Sequence, residues 1–282
     1  MKKQTIKLIA LDLDGTLFNH SGVITPETKK VLKEASQKGI TLVIATGRPY
    51  IGLPLSDLAE LGISYAITTN GAAVYRTPQK EILLEEPMER AEILEVLRAI
   101  APLPVHSDVF INGDGYTDAK KQSFIEKLSV PESLRHYIKT TRTVVPDLAC
   151  YVSTCSHPVQ KITINFIKEE TGFLAKDTVA ALLASHPSLQ VVSGGYGNLE
   201  LTQKGISKAK GLSFLCELLS IPPEQTMACG DSENDRDIVT TAHIGVAMAN
   251  ASDDLKACAD YICPKTNEED GVAFAIKELV SL

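Results

Sequence analysis

Residues 6–11 are almost uniformly apolar, as expected of a strand buried on both faces in a parallel sheet covered by helices. After a polar stretch, Thr25 offers an N-cap, Pro26 suits the first helical position, and Val31, Leu32 and Ala35 form an apolar stripe that Gly39 closes. A second apolar run, residues 40–45, ends in Thr46-Gly47-Arg48. A third, residues 65–69, follows a helical stretch around Leu55 to Leu61. Strand, helix, strand, helix, strand predicts a doubly wound α/β domain.

The rhythm loosens between about residues 82 and 196, where prolines punctuate the chain. Residues 161–167 alternate, with Ile162, Ile164 and Phe166 on one side and Thr163 and Asn165 on the other. That pattern predicts a sheet with one open face. Helical stretches at 91–100 and 177–184 lie between such runs, and Ser193-Gly194-Gly195 stands near the exit. The α/β rhythm then resumes. Ser207 can cap a helix carrying Leu212, Leu215, Cys216 and Leu219. Strands are expected at 226–230, 244–248 and 261–263, and a last helix at 272–280. The predicted fold is α/β: a Rossmann-like doubly wound parallel-sheet core (1–82 and 197–282) with an inserted α+β domain (83–196).

Composition changes this picture little. The 282 residues are 44% hydrophobic and 22% charged, an ordinary globular balance. The net charge of −7 argues against a nonspecific nucleic-acid partner, which Lys and Arg would have to neutralise. The apolar run before Asp12 is too short for a secretory signal, and no window is long enough for a membrane span, so no membrane association and a cytoplasmic location are expected. Six cysteines include no Cys-x-x-Cys and no accompanying His spacing, and are read as reduced core thiols.

Chemistry gathers at the strand ends. Asp12 and Asp14 follow the first strand, Thr46 the second, and Gly230-Asp231-Ser232-Glu233-Asn234-Asp235 a later one. Ligands of open parallel sheets bind outside these carboxyl ends. Residues two apart in an extended chain point the same way, so Asp12 and Asp14 can both address the crevice while Leu11 and Leu13 turn away. Carboxylates that converge there either have raised pKa values or hold a hard cation. Oxygen ligands without His or Cys favour magnesium. Magnesium also relieves the repulsion of an anionic phosphate ester, and phosphoryl transfer asks mainly for positioning and charge neutralisation. An aspartate can serve as nucleophile and a second acid as proton donor and acceptor.

Asp-Leu-Asp-Gly-Thr-Leu (12–17), Ala-Thr-Gly-Arg (45–48), Lys-Gly-Ile-Ser-Lys (204–208) and Gly-Asp-Ser-Glu-Asn-Asp (230–235) resemble the four motifs of the haloacid dehalogenase superfamily. Gly-Val-Ala-Met-Ala-Asn-Ala (245–251) and Asn-Glu-Glu-Asp-Gly-Val-Ala (267–273) are similar to its Cof-type branch, which carries a large α/β cap where the insertion lies. The resemblance implies Asp12 as nucleophile and metal ligand. It implies Asp14 as general acid/base with its backbone carbonyl on the metal, Asp231 as a further ligand, and Asp235 on or beside the metal shell. Thr46, Gly47, Arg48, Lys208 and Asn234 would meet the substrate, with Lys208 preferred to Lys204 as the neutralising cation.

Plainer readings stand beside these. Arg48 suits either a substrate contact or a pair with an acidic neighbour. Asn70-Gly71 reads first as a hairpin turn, with a substrate-side position as the alternative. Gly113 to Gly115 mimics part of the fourth motif but lacks the Asn-Asp and is read as a turn. The expected activity is magnesium-dependent hydrolysis of small phosphate monoesters, sugar phosphates or cofactor phosphates, through an aspartyl phosphate. A binding module without turnover and a phosphomutase are the alternatives. Oligomeric state is not legible.

Overall fold

The computed structural model describes residues 3–193 and 196–282, so Gly194 and Gly195, expected at the exit of the insertion, lie outside the described residues. The chain forms two compact units, one of residues 1–47, 53–84 and 207–282 and the other of residues 48–52 and 85–206.

The first unit is built on β1 (Leu8–Leu11), β2 (Thr41–Ala45), β3 (Tyr65–Thr68), β4 (Ala73–Arg76), β5 (Glu81–Glu85), β6 (Thr226–Gly230), β7 (Ile244–Ala247) and β8 (Tyr261–Ile262). They form one sheet in the order β8-β7-β6-β1-β2-β3-β4-β5. Neighbours from β8 to β3 run parallel, and β4 returns antiparallel to β3. Every residue of β1 is buried, which is why its sequence shows an apolar run in place of alternation. Six helices accompany the sheet: α1 (Pro26–Gln37), α2 (Leu55–Leu61), α3 (Lys208–Leu219), α4 (Arg236–Thr241), α5 (Asp253–Lys256) and α6 (Gly271–Leu279). Leu212, Leu215, Ile238, Val239 and Leu255 of α3, α4 and α5 pack with Leu8, Ala10 and Val43. By alternation Ile9 and Ile44 face the other way, and α1 packs against β2, α2 and α6. Thr25 caps α1 by accepting from the Thr28 N–H, and the stripe Val31, Leu32 and Ala35 is buried.

The second unit is a six-stranded sheet of Leu189–Val192, Leu199–Gln203, Val159–Phe166, Val105–Ile111, Asp114–Asp118 and Arg142–Val145, in that order. Val105, Val109, Ile162, Ile164, Phe166 and Leu201 share one face with the helices Arg90–Ile100, Leu148–Thr154 and Lys176–Leu183. The other face departs from expectation. It is not open: Thr163 and Asn165 are buried, as are Lys161, at 2% exposure, and Glu200, at 7%. Lys161 Nζ donates to Glu200 Oε1 at 2.7 Å, and the buried Asp108 and Arg142 side chains lie 3.2 Å apart. Alternation identified which residues share the face but not what covers it, and the buried charges are accommodated by pairing. Asn112 and Gly113 turn the chain between two strands with positive φ, whereas Asp114 and Gly115, read as part of the turn, already belong to the next strand.

All six cysteines are free thiols; Cys216, Cys229 and Cys263 are buried, but Cys150 is exposed, against the expectation of six core thiols. Among the described residues no helix is long and apolar enough to cross a membrane.

Candidate active site

In the first unit the strand order reverses between β6 and β1. Chain connections leave β1 towards β2 on one side, while β6 and β7 continue on the other. Such a switch point opens a crevice at the carboxyl ends of the strands. Leu11 pairs with Cys229 and with Ile44, so the ends of β1, β6 and β2 lie level. The residues that follow, Asp12, Asp231 and Thr46, therefore emerge together. Leu11 and Leu13 are fully buried, as the two-residue period requires, while Asp12 is 6% exposed and Asp14 lies at the surface.

Asp12, Asp231 and Asp235 each bring a carboxylate oxygen within 4.8 Å of the others. Between two of them sits Lys208, the first residue of α3 and fully buried. Its Nζ donates to Asp12 Oδ1 at 2.7 Å and to Asp235 Oδ1 at 2.6 Å. Ser207 fixes this helix start by accepting from the Lys210 N–H. Lys204, the other candidate, is exposed.

Asp235 also organises the loop after β6. Its Oδ2 accepts from the backbone N–H of Asp231 at 3.0 Å and of Ser232 at 3.1 Å. Gly230 makes room for this: a Cβ there would stand 2.6 Å from Asp235 Cγ. The Thr16 hydroxyl donates to Asp231 Oδ1 at 3.0 Å. Gly15, at φ +80°, brings the backbone so close that a Cβ would lie 2.7 Å from Asp231 Cγ.

One cation faces three carboxylates, and the balance shows in their acidities. Burial, and then the charge of Asp235, hold the Asp12 carboxyl well above the usual range although Lys208 pulls it down. Burial and Asp235 push Asp231 up to about 7, against the Thr16 hydrogen bond and Lys208. Burial alone would lower Lys208, but Asp12 and Asp235 outweigh it and raise the ammonium. The lysine is firmly charged and the cluster still carries excess negative potential, the condition under which an all-oxygen site takes up a hard cation.

Thr46 is buried, its N–H donating to Ile67 O at 2.8 Å and its carbonyl accepting from the Asn70 N–H at 3.2 Å. Asn70-Gly71 turns the β3–β4 hairpin, as the sequence suggested, and also lies beside the fourth motif: Asn234 Nδ2 donates to Asn70 Oδ1 at 3.2 Å. Gly47 follows Thr46 and is half-buried. Arg48 belongs to the second unit, where it donates to Gly52 O at 3.2 Å and lies 4.4 Å from the centre of the Tyr137 ring. Sequence reasoning gave no role to Thr16, Asn250 or Asn267. Thr16 stood inside the first motif and the last two inside the C-terminal motifs, which was the available signal.

The chain matches the model of the haloacid dehalogenase-like hydrolase family over residues 9–276. It is 30% identical to phosphatase YwpJ of Bacillus subtilis, over 98% of this chain and all of that one. It is also 30% identical to the 5-amino-6-(5-phospho-D-ribitylamino)uracil phosphatase YcsE of the same organism, over 98% of this chain and 96% of the other. The solved structure of the HAD subclass IIB sugar phosphatase BT4131 superimposes with a TM-score of 0.80 at 27% identity, covering 96% of this chain and 98% of that one. The chain belongs to the haloacid dehalogenase-like hydrolases, in their Cof-type branch, and is an enzyme of the phosphatase class.

Proposed function

We propose that this chain is a magnesium-dependent phosphatase that hydrolyses small phosphate monoesters through an aspartyl phosphate on Asp12. The observation that carries the reading is the buried Lys208 bridging Asp12 and Asp235 at the switch point, with Asp231 alongside. Three clustered carboxylates, all oxygen donors, suit magnesium. Asp12, Asp231 and the Asp14 backbone carbonyl would hold it, with Asp235 on or beside the shell. When bound, the cation neutralises excess charge and draws electron density from a phosphoryl oxygen.

The chain's own residues account for the steps. Lys208 holds Asp12 Oδ1, so attack on phosphorus falls to Oδ2. The ester oxygen leaves with its bonding pair and takes a proton from Asp14. Asp14 then removes a proton from water, whose oxygen attacks phosphorus and returns Asp12 with release of inorganic phosphate. Thr46, Gly47 and Asn234 are assigned to the phosphoryl oxygens, and Arg48 to the rest of the substrate. The second unit, residues 48–52 and 85–206, overlaps the insertion expected at 83–196 and is assigned the choice of ester. Two relatives are named for phosphorylated polyols or sugars, which supports sugar or cofactor phosphates as the class.

The test is release of inorganic phosphate from 4-nitrophenyl phosphate and from a panel of sugar and ribityl phosphates, with Mg2+ or with EDTA. Turnover that persists in EDTA or in Asp12→Asn would overturn the mechanism. Isomerised ester without free phosphate would indicate a mutase.

A further inference from the structure

We infer that Asn250 and Asn267 form a clamp on the loop from Asp12 to Phe18 and are positioning residues for the reaction proposed above, on which this inference rests. The loop makes its own inner bonds: Leu17 N–H donates to Asp12 O at 3.2 Å and Phe18 N–H to Leu13 O at 2.8 Å. Two of its carbonyls, those of Gly15 and Phe18, are instead taken by side-chain amides from elsewhere. Asn250 Nδ2 donates to Gly15 O at 2.7 Å, and Asn267 Nδ2 donates to Phe18 O at 2.8 Å.

The amides are coupled, because the Asn267 N–H donates to Asn250 Oδ1 at 3.1 Å. Asn250 thus uses donor and acceptor at once, which fixes its orientation: a flipped amide would set N–H against N–H. Asn250 follows β7 and Asn267 opens the turn before α6, so two C-terminal segments reach across to the segment that carries Asp12 and Asp14. The first of these segments also touches Asp231, whose carbonyl accepts from the Ser252 N–H at 3.0 Å. Asp231 in turn accepts from Thr16 inside the clamped loop. A loop free to shift would move Asp14 and release the Thr16 hydrogen bond to Asp231 together.

A purely structural role fits Asn250 poorly. Its side chain is exposed, where substitutions are close to neutral for stability. The buried Asn267 does contribute to the packing of its turn. Exposed Asn250 therefore separates positioning from stability.

The experiment compares wild type with Asn250→Ala, Asn267→Ala and the double variant. It reads kcat and KM for 4-nitrophenyl phosphate with Mg2+, thermal unfolding, and Mg2+ affinity by calorimetry without substrate. Expected are a kcat lower by about ten- to a hundredfold for either single variant, with KM nearly unchanged. Mg2+ affinity should fall about tenfold or more, and Asn250→Ala should melt like wild type. Because the pair acts as a unit, the double variant should lose little beyond the worse single. A kcat and Mg2+ affinity within about twofold of wild type in Asn250→Ala, or losses that multiply in the double variant, would overturn the clamp. Should Asn267→Ala not fold, Asn250→Ala decides alone. An inactive wild type counts against the phosphatase reading, and the Mg2+ affinities still decide the clamp.

Discussion

Lys208 is fully buried, with two carboxylates in contact. Removing one partner of a buried pair leaves the others uncompensated, at a cost of about 3–5 kcal/mol. Lys208→Met should lower the unfolding free energy, read from a urea titration in EDTA at pH 8, by that order. The loss should be smaller at pH 5, where the raised pKa of Asp12 lets it take a proton in place of the lysine. Equal losses at both pH values would contradict the charge balance argued for the cluster. Asp12→Asn should reduce kcat by at least about three orders of magnitude, measured as phosphate release, while near-normal melting shows an intact fold. At this scale the sequence showed residue types and spacing. The double engagement of Asp235, by Lys208 and by two backbone N–H groups, depended on the turn taken after Gly230.

Among the elements, the strands and helices of the first unit followed their patterns closely. β1 and β2 each began one or two residues later than read, at Leu8 and Thr41, because pairing needs a partner as well as an apolar side chain. The sheet of the second unit was harder to read. Lys161 and Glu200 sit two residues out of register on neighbouring strands, and so on the same face, since Thr163 opposes Glu200, and their buried charges meet. Lys161→Met alone should destabilise the protein by about 3–5 kcal/mol. Adding Glu200→Leu should restore most of that loss, measured as a double-mutant cycle in urea. Additive losses would mean that the two charges do not act as a pair.

For the whole molecule, the acidic cluster links stability to pH and metal. The folded pKa values of Asp12 and Asp231 lie above the usual carboxylate value near 4. The folded state thus binds more protons than the unfolded one between about pH 4 and 7, and the stability these two groups contribute falls as pH rises through that window. His106, lowered by burial, contributes in the opposite sense near its ordinary value. The difference between Mg2+ and EDTA isolates the cluster. Protons and Mg2+ compete for Asp231, so the rise in melting temperature on adding Mg2+ should grow from pH 6 to pH 8. A rise independent of pH, or one that shrinks, would place Mg2+ elsewhere.

The sequence by itself determined the class of fold, because apolar runs, caps and turn residues are local signals that nothing distant has to complete. It also determined which residue types stand at the strand ends, since the end of a parallel strand is where a polar residue first escapes the covering helices. Tertiary structure decided which of these residues meet. Lys208 was preferred to Lys204 by motif spacing, but only the packing of α3 shows it between Asp12 and Asp235. The polar side of the second sheet read as open because alternation carries no information about what covers a face. Asn250 and Asn267 bear on a loop more than 230 residues earlier in the chain, and a hydrogen bond of that sequence separation is specified by the assembled sheet alone.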